Sequence, residues 1–300
     1  MQRMLEIIAN DGVVLRAQVH GPQNADRLIL SHGNGLAIGG YAAYWSRLVN
    51  EFQVVLLDFR GHGWSDCSDV SHHSWEQFEL DLDTVLTTVD SVLGRRRTVG
   101  VFHSLSAIVS LRHIRRFGSK WDGLLLFDPP LMPPDGHPLQ MSHFDEMREL
   151  SARVLKRQEF FVSPSELAQQ FRRSRIAARW LPQSCDDMAT ALLRQCEDGN
   201  SWRLACPPAF ESKIFDSNVD QSLWTWLSQS RASLKLICAD PDVPGVQPSA
   251  HIGRSVAGEF GLDYECIRET THFLQIESPE ACAAVTRQFC AGLLECKHEA

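Results

Sequence analysis

The sequence contains no CxxC pair, no HExxH, no Walker loop and no GxGxxG. Those absences remove the usual signatures of zinc ligation, metalloprotease chemistry, phosphate cradling and dinucleotide binding. No metal and no cofactor are expected; Gly33 and Gly35 follow a short apolar run, but the third glycine of a dinucleotide loop is missing. Nine cysteines, Cys67, Cys185, Cys196, Cys206, Cys238, Cys266, Cys282, Cys290 and Cys296, are odd in number and scattered. That pattern argues against a disulfide framework and predicts free thiols in a reducing cytoplasm. No apolar run approaches the roughly 18 residues that span a bilayer, and MQRMLEIIANDG offers too short an apolar patch for the core of a secretory signal. Positive charge is in deficit, 29 Lys and Arg against 37 Asp and Glu, a net −8. Phosphate backbones are repelled overall, so the expected partner is a small-molecule substrate, with no nucleic acid and no membrane. The exception is the group Arg172, Arg173, Arg175 and Arg179, either a solvated helix face or the rim of an anion site.

With 44% hydrophobic and 22% charged residues in 300, the chain has the composition of a globular protein able to bury a substantial core. Leu5 to Ala9 and Val13 to His20 flank Asn10-Asp11-Gly12 and predict a hairpin. Arg27 to Leu30 and Gln53 to Asp58 are apolar runs of the kind buried on both faces of a parallel sheet, separated by a helical stretch around Tyr41 to Asn50. Trp75, Phe78, Leu82, Val85, Leu86, Val89, Val92 and Leu93 recur at three- and four-residue steps, an amphipathic helix that Ser74 caps and Gly94 ends. Strand Thr98 to Phe102, a helix from about Leu105 to Phe117 and strand Gly123 to Phe127 follow. The alternation stops between Leu131 and about Asn218, a helical stretch without an obvious strand. It then resumes with helix Asp220 to Ser228, strand Ser233 to Ala239, helix Ser249 to Phe260, strand Leu262 to Ile267 and helix Pro279 to Leu294. Strands alternating with helices imply a mostly parallel, doubly wound α/β sheet with right-handed crossovers.

Reactive groups of an open α/β sheet collect at the carboxyl ends of its strands. Here those ends carry His32-Gly33-Asn34-Gly35, Asp58, Ser104, Asp128, Asp240 or Asp242, and Thr271-His272-Phe273. The chain order is serine, acid, histidine. Together with Asp58-Phe-Arg-Gly-His-Gly-Trp-Ser65 and His272-Phe-Leu-Gln-Ile-Glu-Ser-Pro-Glu280, which are similar to D-x-R-G-x-G-x-S and H-x-x-x-x-E-x-P-E, the chain resembles the α/β-hydrolase fold superfamily over nearly its whole length. The resemblance implies core segments 1–130 and 219–300, and a helical cap over 131–218 inserted after the sixth strand.

The turn after Thr98 to Phe102 offers two serines. With Ser104 central the flanks are Phe102 and Ser106; with Ser106 central they are Ser104 and Ile108. The strand ends two residues before Ser104, and His103-Ser104-Leu105 is similar to the family's H-S-L, so Ser104 is the expected nucleophile. The Phe102 ring must then turn away beneath the sheet while Ser106 leaves clearance. A serine hydroxyl needs a base and a carboxylate to orient that base, and His272 alone among 12 histidines follows the last predicted strand inside a matching motif. The acid stays open: Asp128 stands at the end of the sixth strand, where one family variant places it. Asp240 is the alternative after the following strand, with Asp242 third; a cap on the Pro129-Pro130 turn also accounts for Asp128. The oxyanion hole is expected from the backbone N–H groups of Leu105 and Asn34, with His32 and His62 bracing the loops. Phe144, Phe160, Phe161, Phe171, Trp180, Trp202 and Phe210 lie in the inserted segment, mostly as its own core with two or three facing the substrate.

The expected activity is hydrolysis of a largely apolar carboxylic ester or lactone through an acyl-enzyme on Ser104. The same triad also serves thioester cleavage, acyl transfer, carbon–carbon bond hydrolysis or cofactor-free oxygenation, and the fold alone is compatible with a silent ligand-binding protein.

Overall fold

A computed structural model describes residues 3–67, 69–230 and 232–295. Strands β1 (Arg3–Ile8) and β2 (Val14–His20) form the hairpin around Gly12, whose φ of 86° completes the turn. The apolar runs become β3 (Arg27–Ser31), β4 (Gln53–Asp58), β5 (Thr98–His103) and β6 (Gly123–Phe127), each buried along its whole length. Between them lie α1 (Ala42–Trp45), α2 (Trp75–Leu93) and α3 (Leu105–Phe117). The stretch predicted helical from Tyr41 to Asn50 is shorter, a 3-10 turn at Ile38–Tyr41 followed by α1. Ser74 Oγ accepts the Gln77 N–H at 3.3 Å at the start of α2, and Gly94 stands just past its end.

The segment after β6 holds α4 (Gln140–Val154), β7 (Phe160–Phe161), α5 (Pro164–Arg173), α6 (Pro182–Leu192), β8 (Leu193–Gln195), β9 (Trp202–Leu204) and α7 (Pro208–Asp216). The helices agree with the sequence pattern, but β7, β9 and β8 form a small antiparallel sheet that the pattern did not give. Strands of two or three residues are too short to show an alternation of period two. The chain then returns through α8 (Ser222–Gln229), β10 (Leu234–Ala239), α9 (Pro248–Phe260), β11 (Asp263–Ile267), α10 (Leu274–Glu277) and α11 (Pro279–Glu295).

The eight-stranded sheet has the order β1-β2-β4-β3-β5-β6-β10-β11. The pairs β1-β2 and β2-β4 are antiparallel and the other pairs are parallel. Alternate residues feed two cores: Phe102, Leu124 and Leu126 pack among the side chains of α2, α3, α8 and α9, and Val101, Leu125 and Phe127 pack with Tyr44, Met188 and Cys282 on the other face. The described cysteines are free thiols, and Cys296 lies outside the described residues. Among the described residues no helix is long and apolar enough to cross a membrane.

Candidate active site

Ser104 sits between β5 and α3 with φ 53° and ψ −113°, a strained conformation for a residue bearing a Cβ. The turn survives because its neighbours leave room. Gly33 passes so close that a Cβ there would stand 3.2 Å from Ser104 Cβ. Ser106 clamps the preceding residue, its Oγ accepting the His103 N–H and donating to the His103 carbonyl, both at 2.9 Å. Phe102 points to the opposite face of β5, edge-on to Trp121 at 5.3 Å. Its ring lies over Gly100, where an added Cβ would meet Phe102 Cε2 at 2.4 Å. A glycine two residues earlier in the strand therefore makes room for the phenylalanine.

His272 Nε2 stands 2.9 Å from Ser104 Oγ. Its Nδ1 is 2.6 Å from Asp128 Oδ2, fixing the proton on Nδ1 and leaving Nε2 free to accept from the serine. Asp128 follows β6 with φ 44° and is fully buried. It also accepts from Ser249 Oγ at 2.6 Å and from the Ala239 N–H at 3.1 Å. Burial disfavours its charge, but the bonds from His272, Ser249 and Ala239 prevail and hold the carboxyl below the ordinary range. Burial likewise works against a charged His272, and the Asp128 bond and field outweigh it, raising that pKa.

Asp240 and Asp242 face elsewhere. Asp240 accepts the N–H of Glu269 at 2.9 Å and of Asp242 at 3.1 Å, steadying the turn at Glu269, whose φ is 59°. Asp242 is exposed and pairs with Arg268 at 3.2 Å. Asp240 thus shapes the loop that delivers His272. Glu277 secures the same loop, taking the N–H and Oγ1 of Thr271 at 2.6 Å each, a physical reason for an acid five residues after the histidine.

Leu105 opens α3, so its N–H has no intrahelical partner. Asn34 lies between Gly33 and Gly35, and its Nδ2 donates to the Glu211 carbonyl at 2.8 Å. Tyr41 O–H accepts from the Gly33 N–H at 3.2 Å and donates to His103 Nδ1 at 2.7 Å, while His103 Nε2–H donates to the His272 carbonyl at 2.8 Å. Burial pushes His103 down to about 3, so a neutral imidazole of fixed tautomer joins the first loop, the elbow and the histidine loop. Sequence reasoning missed Tyr41, His103 as a brace, and Ser249; Ser249 is an ordinary first-turn helix residue and carries no local signal.

His32 and His62 brace the loops. His32 Nδ1–H donates to the Gly33 carbonyl at 2.9 Å and Nε2 accepts the Phe59 N–H at 3.2 Å. His62 Nδ1–H donates to the Arg60 carbonyl at 3.0 Å and Nε2 accepts the Gly35 N–H at 3.2 Å. His62, His73 and Cys206 bring donor atoms within 4.8 Å of one another, but both His62 nitrogens are already engaged. Asp58 ties its own motif to the loop after β3, accepting from the N–H groups of Trp64 at 3.0 Å and Ile38 at 2.8 Å.

The inserted segment lies against this site. A Cβ at Gly35 would strike the Glu211 carboxyl of α7 at 2.2 Å, and one at Gly40 would meet Met188 of α6 at 2.4 Å. Ser104 is only 7% exposed. Of the expected aromatics, Trp180 packs on Phe273 at 5.1 Å and Phe210 on His73 at 5.0 Å, Phe161 is buried, and Phe144 and Phe160 face solvent. Arg172 pairs with Asp186, and Arg179 donates to the Glu269 carbonyl at 3.0 Å. Arg173 and Arg175 are exposed.

Residues 28–285 match the profile of the Alpha/beta hydrolase family. The chain belongs to that family. Solved structures share its fold along nearly its full length. One is an E-2-(acetamidomethylene)succinate hydrolase, 15% identical, covering 97% of this chain and 100% of that one, with a TM-score of 0.76. A thioesterase domain from the curacin biosynthetic pathway is 16% identical over 95% and 99%, with a TM-score of 0.74. An esterase from Exiguobacterium antarcticum is 16% identical over 95% and 98%, with a TM-score of 0.71. No curated protein sequence is a match.

Proposed function

We propose that the protein is a serine hydrolase that cleaves a carboxylic ester or lactone with a largely apolar acyl part. The observation that carries this reading is the continuous hydrogen-bonded series Ser104, His272, Asp128 at a strained strand-to-helix turn. His272 Nε2 takes the hydroxyl proton as Ser104 Oγ attacks the carbonyl carbon, and Asp128 stabilises the imidazolium without being protonated itself. The N–H groups of Leu105 and Asn34 receive the oxyanion. The C–O bond then breaks, His272 returns the proton to the leaving alkoxide, and an acyl-Ser104 ester remains. Water, deprotonated by His272, repeats the sequence and frees the acid. Residues 131–218 act as the cap over a core of 1–130 and 219–300; the slight exposure of Ser104 and the seating of α6 and α7 on Gly35 and Gly40 support this.

The test is a panel of p-nitrophenyl esters of varied chain length together with lactones, assayed on the wild type and Ser104→Ala. The reading requires turnover of at least one ester or lactone that disappears with Ser104. Turnover that survives Ser104→Ala sinks it.

A further inference from the structure

Helix α9 begins where the acid and the base meet. Gln247, the residue before it, accepts the His272 N–H through Oε1 at 3.2 Å. Ser249, in the first turn of α9, donates its hydroxyl proton to Asp128 Oδ2 at 2.6 Å, and its Oγ stands 3.4 Å from His272 Nδ1. The neighbours settle the direction of that bond: Nδ1 already carries the proton it gives to Asp128 and cannot accept another, so the serine proton goes to the carboxylate. Asp128 Oδ2 therefore receives two donors, His272 Nδ1–H and Ser249 Oγ–H, each at 2.6 Å, while Oδ1 receives the Ala239 N–H at 3.1 Å. Asp128 is fully buried and Ser249 only 2% exposed, so solvent does not replace a donor that is lost.

Two donors on one oxygen compete. The more of its charge Oδ2 gives to Ser249, the less is left to hold the imidazolium that forms when His272 takes the Ser104 proton. The serine bond is thus worth more while His272 is neutral than once it is charged. We propose that Ser249 is a positioning residue of the triad, whose hydroxyl holds the Asp128 carboxylate in place and keeps His272 in its neutral, proton-accepting form over a wider range of pH. The catalytic meaning of this inference rests on the hydrolase reading. Burial opposes a charge on His272, the charges that favour it are those of Asp128, Glu146 of α4 and Glu277 of α10, and His103 and His143 are its titratable neighbours. Burial pushes His103 down to about 3 and His143 to about 4, so both are neutral where His272 titrates. Burial pushes Glu146 up to about 7, into the same range, while the Glu277 carboxylate is bound to Thr271. Of these groups Asp128 is the one to which Ser249 donates.

The experiment removes the hydroxyl and follows kcat/KM against pH with the p-nitrophenyl ester that the wild type turns over best. In Ser249→Ala the carboxylate turns wholly to His272 and the imidazolium gains. The acid limb then moves up by about 0.5 to 1 on the pH scale, roughly a three- to tenfold loss at low pH. The loss shrinks on the high-pH plateau, where His272 is neutral in either protein. Ser249→Thr, which keeps the hydroxyl, restores the wild-type midpoint. Ser249→Cys, a weaker donor of similar size, gives an intermediate midpoint and carries the comparison if Ser249→Ala does not fold. The shift persists in a Glu146→Gln background, which removes the other group titrating in that range. NMR titration of the His272 imidazole in Ser104→Ala and Ser104→Ala/Ser249→Ala reads the same midpoint without turnover, with His272→Gln assigning the resonance. A loss of equal size at every pH, a His272 midpoint that stays or falls, or a shift that vanishes with Glu146→Gln overturns the proposal. Absence of both turnover and fluorophosphonate labelling at Ser104 overturns the hydrolase reading instead, and the NMR midpoints still decide what Ser249 does to His272.

Discussion

Asp128 and Asp240 separate at the level of single atoms. Asp128→Asn keeps the shape but offers an amide to His272 Nδ1, so the wrong tautomer is favoured and kcat falls by about 10³- to 10⁴-fold. Asp240→Ala leaves the Glu269 N–H unpaired, and its expected signature is a lower Tm and a smaller loss of turnover. Steady-state kinetics and thermal melts on the two variants distinguish these outcomes; a larger kinetic loss at Asp240 contradicts the assignment. The pH profile adds a sign. His272 must be neutral to accept the Ser104 proton, and Asp128 raises its pKa, so kcat/KM falls as pH drops through a value above the ordinary histidine range near 6.5. In Asp128→Asn burial remains and the carboxylate is gone, so the residual activity's midpoint moves to lower pH. Motifs in the sequence name Ser104 and His272 and leave the acid open among three aspartates. Proline and glycine spacing after a strand does not reveal which carboxyl meets an imidazole 144 positions away along the chain.

Elements explain how an unusual elbow is tolerated. Phe102 occupies a flank where bulk collides in most such turns, and β5 accommodates it by carrying Gly100 on the same face of the strand. Gly100→Ala forces the Phe102 and Leu124 side chains off their positions, an overpacking cost of about 1–3 kcal/mol. Thermal melts should show partial relief in Gly100→Ala/Phe102→Leu, a coupling that a double-mutant cycle reads directly; strict additivity contradicts it. The loop after β3 makes a second case. Gly35 has φ 66° and abuts Glu211, so Gly35→Ala displaces Asn34 and lowers kcat by about 10²- to 10³-fold, the effect of one lost oxyanion donor, with far-UV circular dichroism unaltered. The long strands and α2 were legible because their periodicity extends over many residues. The sheet β7-β9-β8 was not, since its pairing comes from tertiary contact and not from local pattern.

Across the whole molecule, four segments far apart in sequence, around Gly33, Asp58, Ser104 and His272, meet at one edge of the parallel sheet because successive strands deliver their carboxyl ends there. That convergence was readable from the order of strands and motifs. The way α6 and α7 settle against the loop after β3 was not, because it depends on glycines at 35, 39 and 40 leaving room for Glu211, Ala191 and Met188. The central claim is that Ser104 is an activated nucleophile. Its most direct measurement is exposure of the folded protein to a fluorophosphonate, followed by mass mapping of the modified peptide. The account predicts a single adduct on Ser104, absent in Ser104→Ala and strongly slowed in His272→Ala. An adduct on another serine, or an intact Ser104 that never reacts, would contradict it.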